Sequence, residues 1–185
     1  LSVAAPLARK AGVELRAIHV NHGLQAAAGG FETTCRELCD SLALPLTVAS
    51  VRVDAAGQGI EAAAREARYQ AFATHLSPGD RLWLAQHADD QVETFLLAAL
   101  RGSGVRGLAG MPYRREWRGI RIERPWLSLA RSVLMAEAQR RGLEWFEDPT
   151  NAEVDFDRNY LRHRVVPPLR ERWPGLAGAF GQSAE

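Results

Sequence analysis

Apolar residues recur along the chain with two periods, and the two alternate. Val13–Val20 is an apolar, β-branched run of strand character, and Leu46–Val53 and Arg81–Gln86 are two further predicted strands. Helical stripes lie between them. In Phe31–Ala43, Cys35, Leu38, Cys39 and Leu42 fall at i, i+3, i+4 and i+7 on one face, which predicts a core role for both cysteines. Ile60–Leu76 turns Ile60, Ala64, Ala67 and Ala71 inward and stops at Ser77-Pro78-Gly79-Asp80. Asp89–Arg101 carries Val92, Phe95, Leu96, Ala99 and Leu100 as a stripe, and Ser2–Ala11 is the tail of a helix that Gly12 ends. This alternation predicts an α/β fold, an open and mainly parallel sheet with helices on both faces.

After Arg101 the pattern changes. Gly102, Gly104, Gly107 and Gly110 make a flexible stretch, Arg115–Arg124 predicts a short hairpin turning near Arg118-Gly119, and Ser128–Arg141 predicts another helix. Glu147–Arg158 is polar and irregular, Asn159–Val166 is helical up to Pro167-Pro168, and a last helix starts near Pro174. A boundary is therefore expected near Met111, between an α/β core at residues 1–110 and a mainly helical extension at residues 111–185. Because Ser2–Ala11 leads straight into Val13–Val20, half of a βαβ unit has no first strand. Roughly 20–25 residues or more are expected before Leu1 in the natural protein.

Composition narrows the function classes. With 46% apolar and 24% charged residues the chain is of globular type. Its longest apolar run, Phe95–Leu100, is far short of the roughly 20 residues a membrane helix needs. Cys35 and Cys39 are the only cysteines, and no secretory signal opens the chain, so a reducing, cytoplasmic setting is expected. Charge is uneven: residues 1–100 hold 8 basic and 11 acidic side chains, residues 101–185 hold 15 and 11. That asymmetry suits either a local polyanion contact or a solvated basic face.

Four segments carry candidate chemistry. His19-Val20-Asn21-His22-Gly23-Leu24 ends the first strand, at the sheet edge where an α/β fold exposes backbone to a nucleotide. His87-Ala88-Asp89-Asp90-Gln91-Val92-Glu93-Thr94 crowds three acids into a helix's first turns. Asp89 as an N-cap explains one of them; three repel one another unless a cation, Mg²⁺ or a substrate ammonium, sits among them. Glu61, Arg65 and Arg68 lie on neighbouring turns of one helix, where surface pairing is the simpler account. Glu147–Asn151, followed by Arg158–Arg162, is a polar loop and helix start that is equally an ordinary cap.

In order along the chain, these segments, with Arg101-Gly102-Ser103-Gly104, Gly107-Leu108, Arg124-Pro125-Trp126-Leu127 and Pro168-Leu169, resemble the tRNA(Ile)-lysidine synthetases, members of the PP-loop ATP pyrophosphatase group. Asn21 stands where that family more often has Asp, and its Ser-Gly-Gly-x-Asp-Ser phosphate loop is not in the sequence. The resemblance implies a PP-loop, adenine-nucleotide-hydrolase-like fold and ATP-dependent ligation. AMP is transferred from ATP to O2 of the wobble cytidine in an isoleucine tRNA with a CAU anticodon. The ε-amine of free lysine then displaces AMP at C2. It further implies that Val20, Asn21 and His22 flank adenine and that Arg101, Gly102 and Gly104 line the mouth of the site. Asp90 and Glu93 would hold lysine's charged groups or Mg²⁺, with Asp89 and Asp90 as the metal-side acids. Arg65 would offset phosphate charge, and Arg158 would place the target nucleotide. Arg114, Arg115, Arg118 and Arg121 are the expected tRNA phosphate contacts. ATP and Mg²⁺ are the expected cofactors, a homodimer is the assembly to test, no membrane partner is expected, and the chain without its phosphate loop is expected to be inactive alone. The rival readings are another PP-loop tRNA-modifying or amidating enzyme and a non-catalytic nucleotide- or RNA-binding module.

Overall fold

A computed structural model describes residues 1–23, 28–54 and 59–183. Leu24, the last residue of the first motif, lies outside them. The chain forms two compact units, Leu1–Leu76 and Ser77–Glu185.

In the first unit α1 (Ala4–Ala11) ends at Gly12, and β1 (Ala17–Asn21) crosses through α2 (Ala28–Ser41) to β2 (Leu46–Ser50). The two strands pair in parallel from Ala17 opposite Leu46 to Asn21 opposite Ser50. β1 starts later than its apolar run because a strand needs a partner: the first cross-strand bond is Ala17 N–H to the Pro45 carbonyl, at 2.9 Å, and Val13 is exposed. α2 buries Cys39 and half-buries Cys35, the inward face its spacing predicts. Burial pushes both thiols above their ordinary pKa. In α3 (Ile60–His75) Ala71 is buried as expected, but Ile60 is exposed. Tyr69 and Phe72, packed edge to face with centroids 5.8 Å apart, set the buried side instead. Aromatic rings bury far more area than an alanine stripe can, so they decide the helix's rotation.

The second unit contains β3 (Arg81–Trp83), α4 (Ala88–Leu100), the short α5 (Val105–Leu108) and a hairpin of β4 (Arg114–Trp117) and β5 (Ile120–Glu123). β5 lies between the other two strands, parallel to β3 and antiparallel to β4. The α/β class therefore holds, with parallel pairs in both units. The expected boundary near Met111 does not coincide with the division of the fold: the hairpin shares a sheet with β3, and the break falls at Leu76–Ser77. Ile120 and Ile122 of β5 are buried, which is what draws the hairpin into this unit's core.

α6 (Arg131–Arg140), a 3-10 turn (Pro149–Ala152), α7 (Asp157–Tyr160), a π-turn (Leu161–Val165), α8 (Val166–Arg172) and α9 (Leu176–Ser183) complete the unit. Pro167 and Pro168 do not stop the helix, contrary to expectation. They sit in the first turn of α8, where no intrahelical N–H is required, and the preceding turn widens to π geometry. Val92 of α4, Val166 of α8 and Leu176 of α9 form the buried cluster here, with Leu96, Leu169, Ala177 and Phe180 packed around it. The α4 stripe drifts at its end: Leu97 is buried and Leu100 exposed. Among the described residues no helix is long and apolar enough to cross a membrane.

The hairpin turns where predicted. Arg118 at φ 51° and Gly119 at φ 75° both occupy the left-handed region that a two-residue hairpin turn requires. A Cβ on Gly119 would also lie 3.2 Å from that of Pro78. Gly119→Ala is expected to cost about 1–2 kcal/mol, read as a lower urea midpoint; an unchanged midpoint would contradict this account of the turn.

Candidate functional site

The acid-rich motif begins where the chain leaves β3 and starts α4. His87, not Asp89, is the N-cap residue, and Asp90 in the first turn accepts the His87 N–H at 2.9 Å. Asp89 is thereby released to cap a different helix: its Oδ2 accepts the Arg131 N–H at the start of α6, at 2.8 Å, and its Oδ1 is bonded by Arg170 of α8. Gln91 is buried and brackets one peptide segment, donating to the Met111 carbonyl and accepting its N–H, both at 2.8 Å. Val92 enters the core. Glu93 is 2% exposed, and both its oxygens are engaged by Arg162 (Nε to Oε1 2.7 Å, Nη2 to Oε2 3.1 Å). Arg158 Nε lies 3.4 Å from Oε2, and its Nη2 donates to Thr94 Oγ1 at 3.2 Å. The same Arg162 is 3.8 Å from Asp90 Oδ1.

The cation expected among the three acids is thus supplied by the protein. Arg158, Arg162 and Arg170 match Asp89, Asp90 and Glu93 one for one, in a partly desolvated cluster. Burial lowers the Arg162 pKa, but Glu93, then Asp90 and Asp89, outweigh it and hold the pKa above its ordinary value. The cluster does not fit Mg²⁺: Asp89 has both oxygens committed, Asp90 Oδ2 serves as a cap, and among the described residues no group of three or more His, Cys, Asp or Glu side chains is placed to hold a metal. The arrangement can instead present oriented carboxylate lone pairs to a cationic group. A carboxylate offers about four such sites, and Glu93 receives three guanidinium contacts, two from Arg162 and one from Arg158.

The second motif folds around this cluster. Asp148 caps the 3-10 turn by accepting from Thr150 N–H and Oγ1 at 2.9 and 2.7 Å. Asn159 is buried and donates to the carbonyls of Thr150 and Glu153. The polar loop is therefore an ordinary cap as well as the support that fixes α7, from which Arg158 projects.

In the first unit, the end of β1 is a second polar corner. Asn21 Oδ1 accepts the Gly23 N–H at 2.9 Å, closing the turn after the strand, and its Nδ2 is 3.3 Å from Glu32 Oε2. His22 Nε2 faces Arg68 Nε at 3.5 Å, and its buried Nδ1 has no hydrogen-bond partner among the described residues. Burial, then the Arg68 and His19 charges, lowers the His22 pKa, so the neutral ring is favoured, with Nε2 accepting and Nδ1–H as a donor. Val20 lies within β1 beside this corner. Arg65 lies over the Tyr69 ring at 5.2 Å, and Arg68 of the same helix reaches His22 at the strand end.

Arg101 is exposed and loosely paired with Asp157 at 3.9 Å. Gly102 follows it at φ 69°, and Gly104 precedes α5. The glycine with a packing reason is Gly107, whose Cβ would lie 2.6 Å from that of Ser103. The four hairpin arginines do not share a face. Arg114 pairs with Glu123 at 3.1 Å and Arg121 with Glu116 at 3.0 Å across the ladder, Arg115 alternates to the other side, and Arg118 sits in the turn over Trp117.

Sequence reasoning missed Arg162, Arg170, Gln91 and Arg68 as site-forming residues. The i, i+4 spacing of Arg158 and Arg162 was a usable signal for the first; the others depend on tertiary contacts with no local pattern.

A PP-loop domain family model matches residues 1–169. The chain is 51% identical over 173 residues to the tRNA(Ile)-lysidine synthase of Shigella flexneri, covering 94% of this chain and 40% of that protein. It is 48% identical over 185 residues to that of Pseudomonas aeruginosa, covering 100% and 42%. The chain thus spans about 40% of the length of these curated relatives. Among solved structures, a U34-tRNA thiolase from Methanococcus maripaludis with its 4Fe-4S cluster superposes with a TM-score of 0.73 at 12% identity, covering 98% of this chain and 65% of that one, a likeness of fold.

One property of the cluster is directly measurable. Burial raises the Asp89 carboxyl, but the Arg131 N–H and the Arg170 guanidinium outweigh it, leaving the pKa below the ordinary 3.8. As pH falls, the unfolded chain takes up that proton first, so the contribution to stability is present above about pH 4 and is lost as pH drops through the folded value. Asp89→Asn should flatten the fall of the urea midpoint between about pH 5 and pH 3; an equally steep fall would contradict the assignment.

Proposed function

Because this chain belongs to the PP-loop domain family, we propose that the protein containing it ligates lysine to C2 of the wobble cytidine of an isoleucine tRNA with a CAU anticodon, at the expense of ATP. The observation that carries this reading is the meeting of two motifs. Asp89–Thr94 and Arg158–Arg162, which account for much of the resemblance to lysidine synthetases, are more than 60 residues apart in sequence, yet Glu93 and Thr94 bond directly to Arg158 and Arg162.

Chemistry assigns the roles. Cytosine O2 attacks the α-phosphorus of ATP, pyrophosphate leaves, and the adenylated oxygen becomes a competent leaving group. The ε-amine of lysine then forms the C2–N bond as AMP departs. Glu93 and Asp90, both facing Arg162, accept hydrogen bonds from lysine's charged groups with the lone pairs the guanidinium groups leave over. Arg158, the more exposed arm on Glu93, places the target nucleotide. At the end of β1, the His22 Nδ1–H and the Asn21 turn flank adenine, Arg65 offsets phosphate charge, and Arg101 with Gly102 and Gly104 lines the mouth of the site. Arg118 is the member of the hairpin group best placed for tRNA phosphate, because Arg114 and Arg121 are neutralised within the sheet. Sulfur transfer of the kind named for the thiolase neighbour is not favoured, since Cys39 is in the core and burial suppresses thiolate formation at both cysteines.

The full-length protein, given labelled lysine, ATP and isoleucine tRNA, is expected to incorporate label; ATP binding without incorporation would favour a binding module and overturn the reading. Glu93→Ala would strand two guanidinium groups and confound activity with folding, so the informative change is Glu93→Gln, expected to lower incorporation by at least about 10²-fold. Arg118→Ala is expected to weaken tRNA binding and reduce the slope of log K against log salt by about 1; an unchanged slope would remove the hairpin from the RNA interface.

A further inference from the structure

The π-turn at Leu161–Val165 has no part in the roles above, yet it carries Arg162. We propose that Arg162 is a positioning residue for the Glu93 carboxylate, and that Pro167 aims it by imposing the π-turn. This rests on the lysine-ligation reading for its activity readout.

A regular helix would take the Val166 and Pro167 N–H groups back four residues. Pro167 has none, and its ring clashes with the carbonyl of residue 163 in an ordinary turn. The chain relieves this by opening one turn, so that the Val166 N–H reaches the Leu161 carbonyl, five residues back. Opening the turn changes the rotation at which residues 161–165 leave the helix, and Arg162 is the one that uses it. Its Nε and Nη2 meet the two oxygens of Glu93 side by side, while the same guanidinium reaches toward Asp90 Oδ1. A planar fork on a carboxylate fixes its rotation as well as its charge, which an ammonium cannot do. The outer side of the turn is tied as well, by His163 Nε2 to the Asn151 carbonyl at 2.7 Å. A π-turn is a poorer hydrogen-bonding arrangement than α and recurs at functional positions. Here what it achieves is a carboxylate clamped in one orientation, with Asp90 held at a set distance from it.

The test uses the full-length protein. Arg162→Lys keeps the charge and loses the fork; it is expected to raise KM for lysine about tenfold or more while KM for ATP stays within about twofold. Pro167→Ala, which lets the turn close to α geometry, should move KM for lysine in the same direction by less. Combined with Glu93→Gln, Arg162→Lys should add no further loss in kcat/KM, since it acts through Glu93. Should the Lys variant not fold, Arg162→Gln assayed with added guanidinium ion serves: recovery supports the proposal and none contradicts it. A wild-type protein that incorporates no lysine overturns the functional reading, and this proposal with it. An active wild type with KM for lysine unmoved in Arg162→Lys, or with lysine and ATP KM raised alike, overturns the positioning role alone.

Discussion

A carboxylate that is almost fully buried at the start of a helix must be answered by positive charge, and in this protein that requirement organises the second unit. Burying a carboxylate without a partner is costly. The chain answers it with Arg162 and Arg158. Asp89 does the same toward α6 and α8 through the Arg131 N–H and Arg170. The apolar contacts of Val92 with Val166 and Leu176 run alongside these pairs, so apolar packing and charge matching select the same arrangement of helices. Buried pairs are costly to break and modest in net contribution to stability. Their value here lies in orientation: they fix which way the remaining lone pairs of Glu93 and Asp90 face.

Much of this was legible in the sequence. The alternation of elements, the inward cysteine Cys39 and the hairpin turn at Arg118-Gly119 all follow from local pattern, because each depends on residues within a few positions of one another. What was not legible depends on partners far along the chain. The pairing of β3 with β5 joins residues about 40 apart and carries no periodic signal, so the change of pattern after Arg101 suggested a boundary that the fold does not have. Ile60 was misplaced because two aromatic residues further along α3 outweigh an alanine stripe. The acid cluster was correctly singled out as needing a cation, but the sequence offers no way to tell an external ion from three arginines that arrive from 65 to 81 positions later.

The two polar corners of the molecule differ in character. The β1 end joins an Asn-closed turn and a His whose pKa burial and Arg68 lower to one charged partner each, Glu32 and Arg68. The α4 cluster is fully ionic and suits a charged amine and a nucleotide brought beside it.

The most direct measurement is a structure of the full-length protein with lysine and a non-hydrolysable ATP analogue. The account predicts a charged nitrogen of lysine within hydrogen-bonding distance of Glu93 or Asp90, with the Arg162 fork still in place. Lysine bound away from these carboxylates, or reaching Glu93 only after Arg162 has swung out of the cluster, would contradict it.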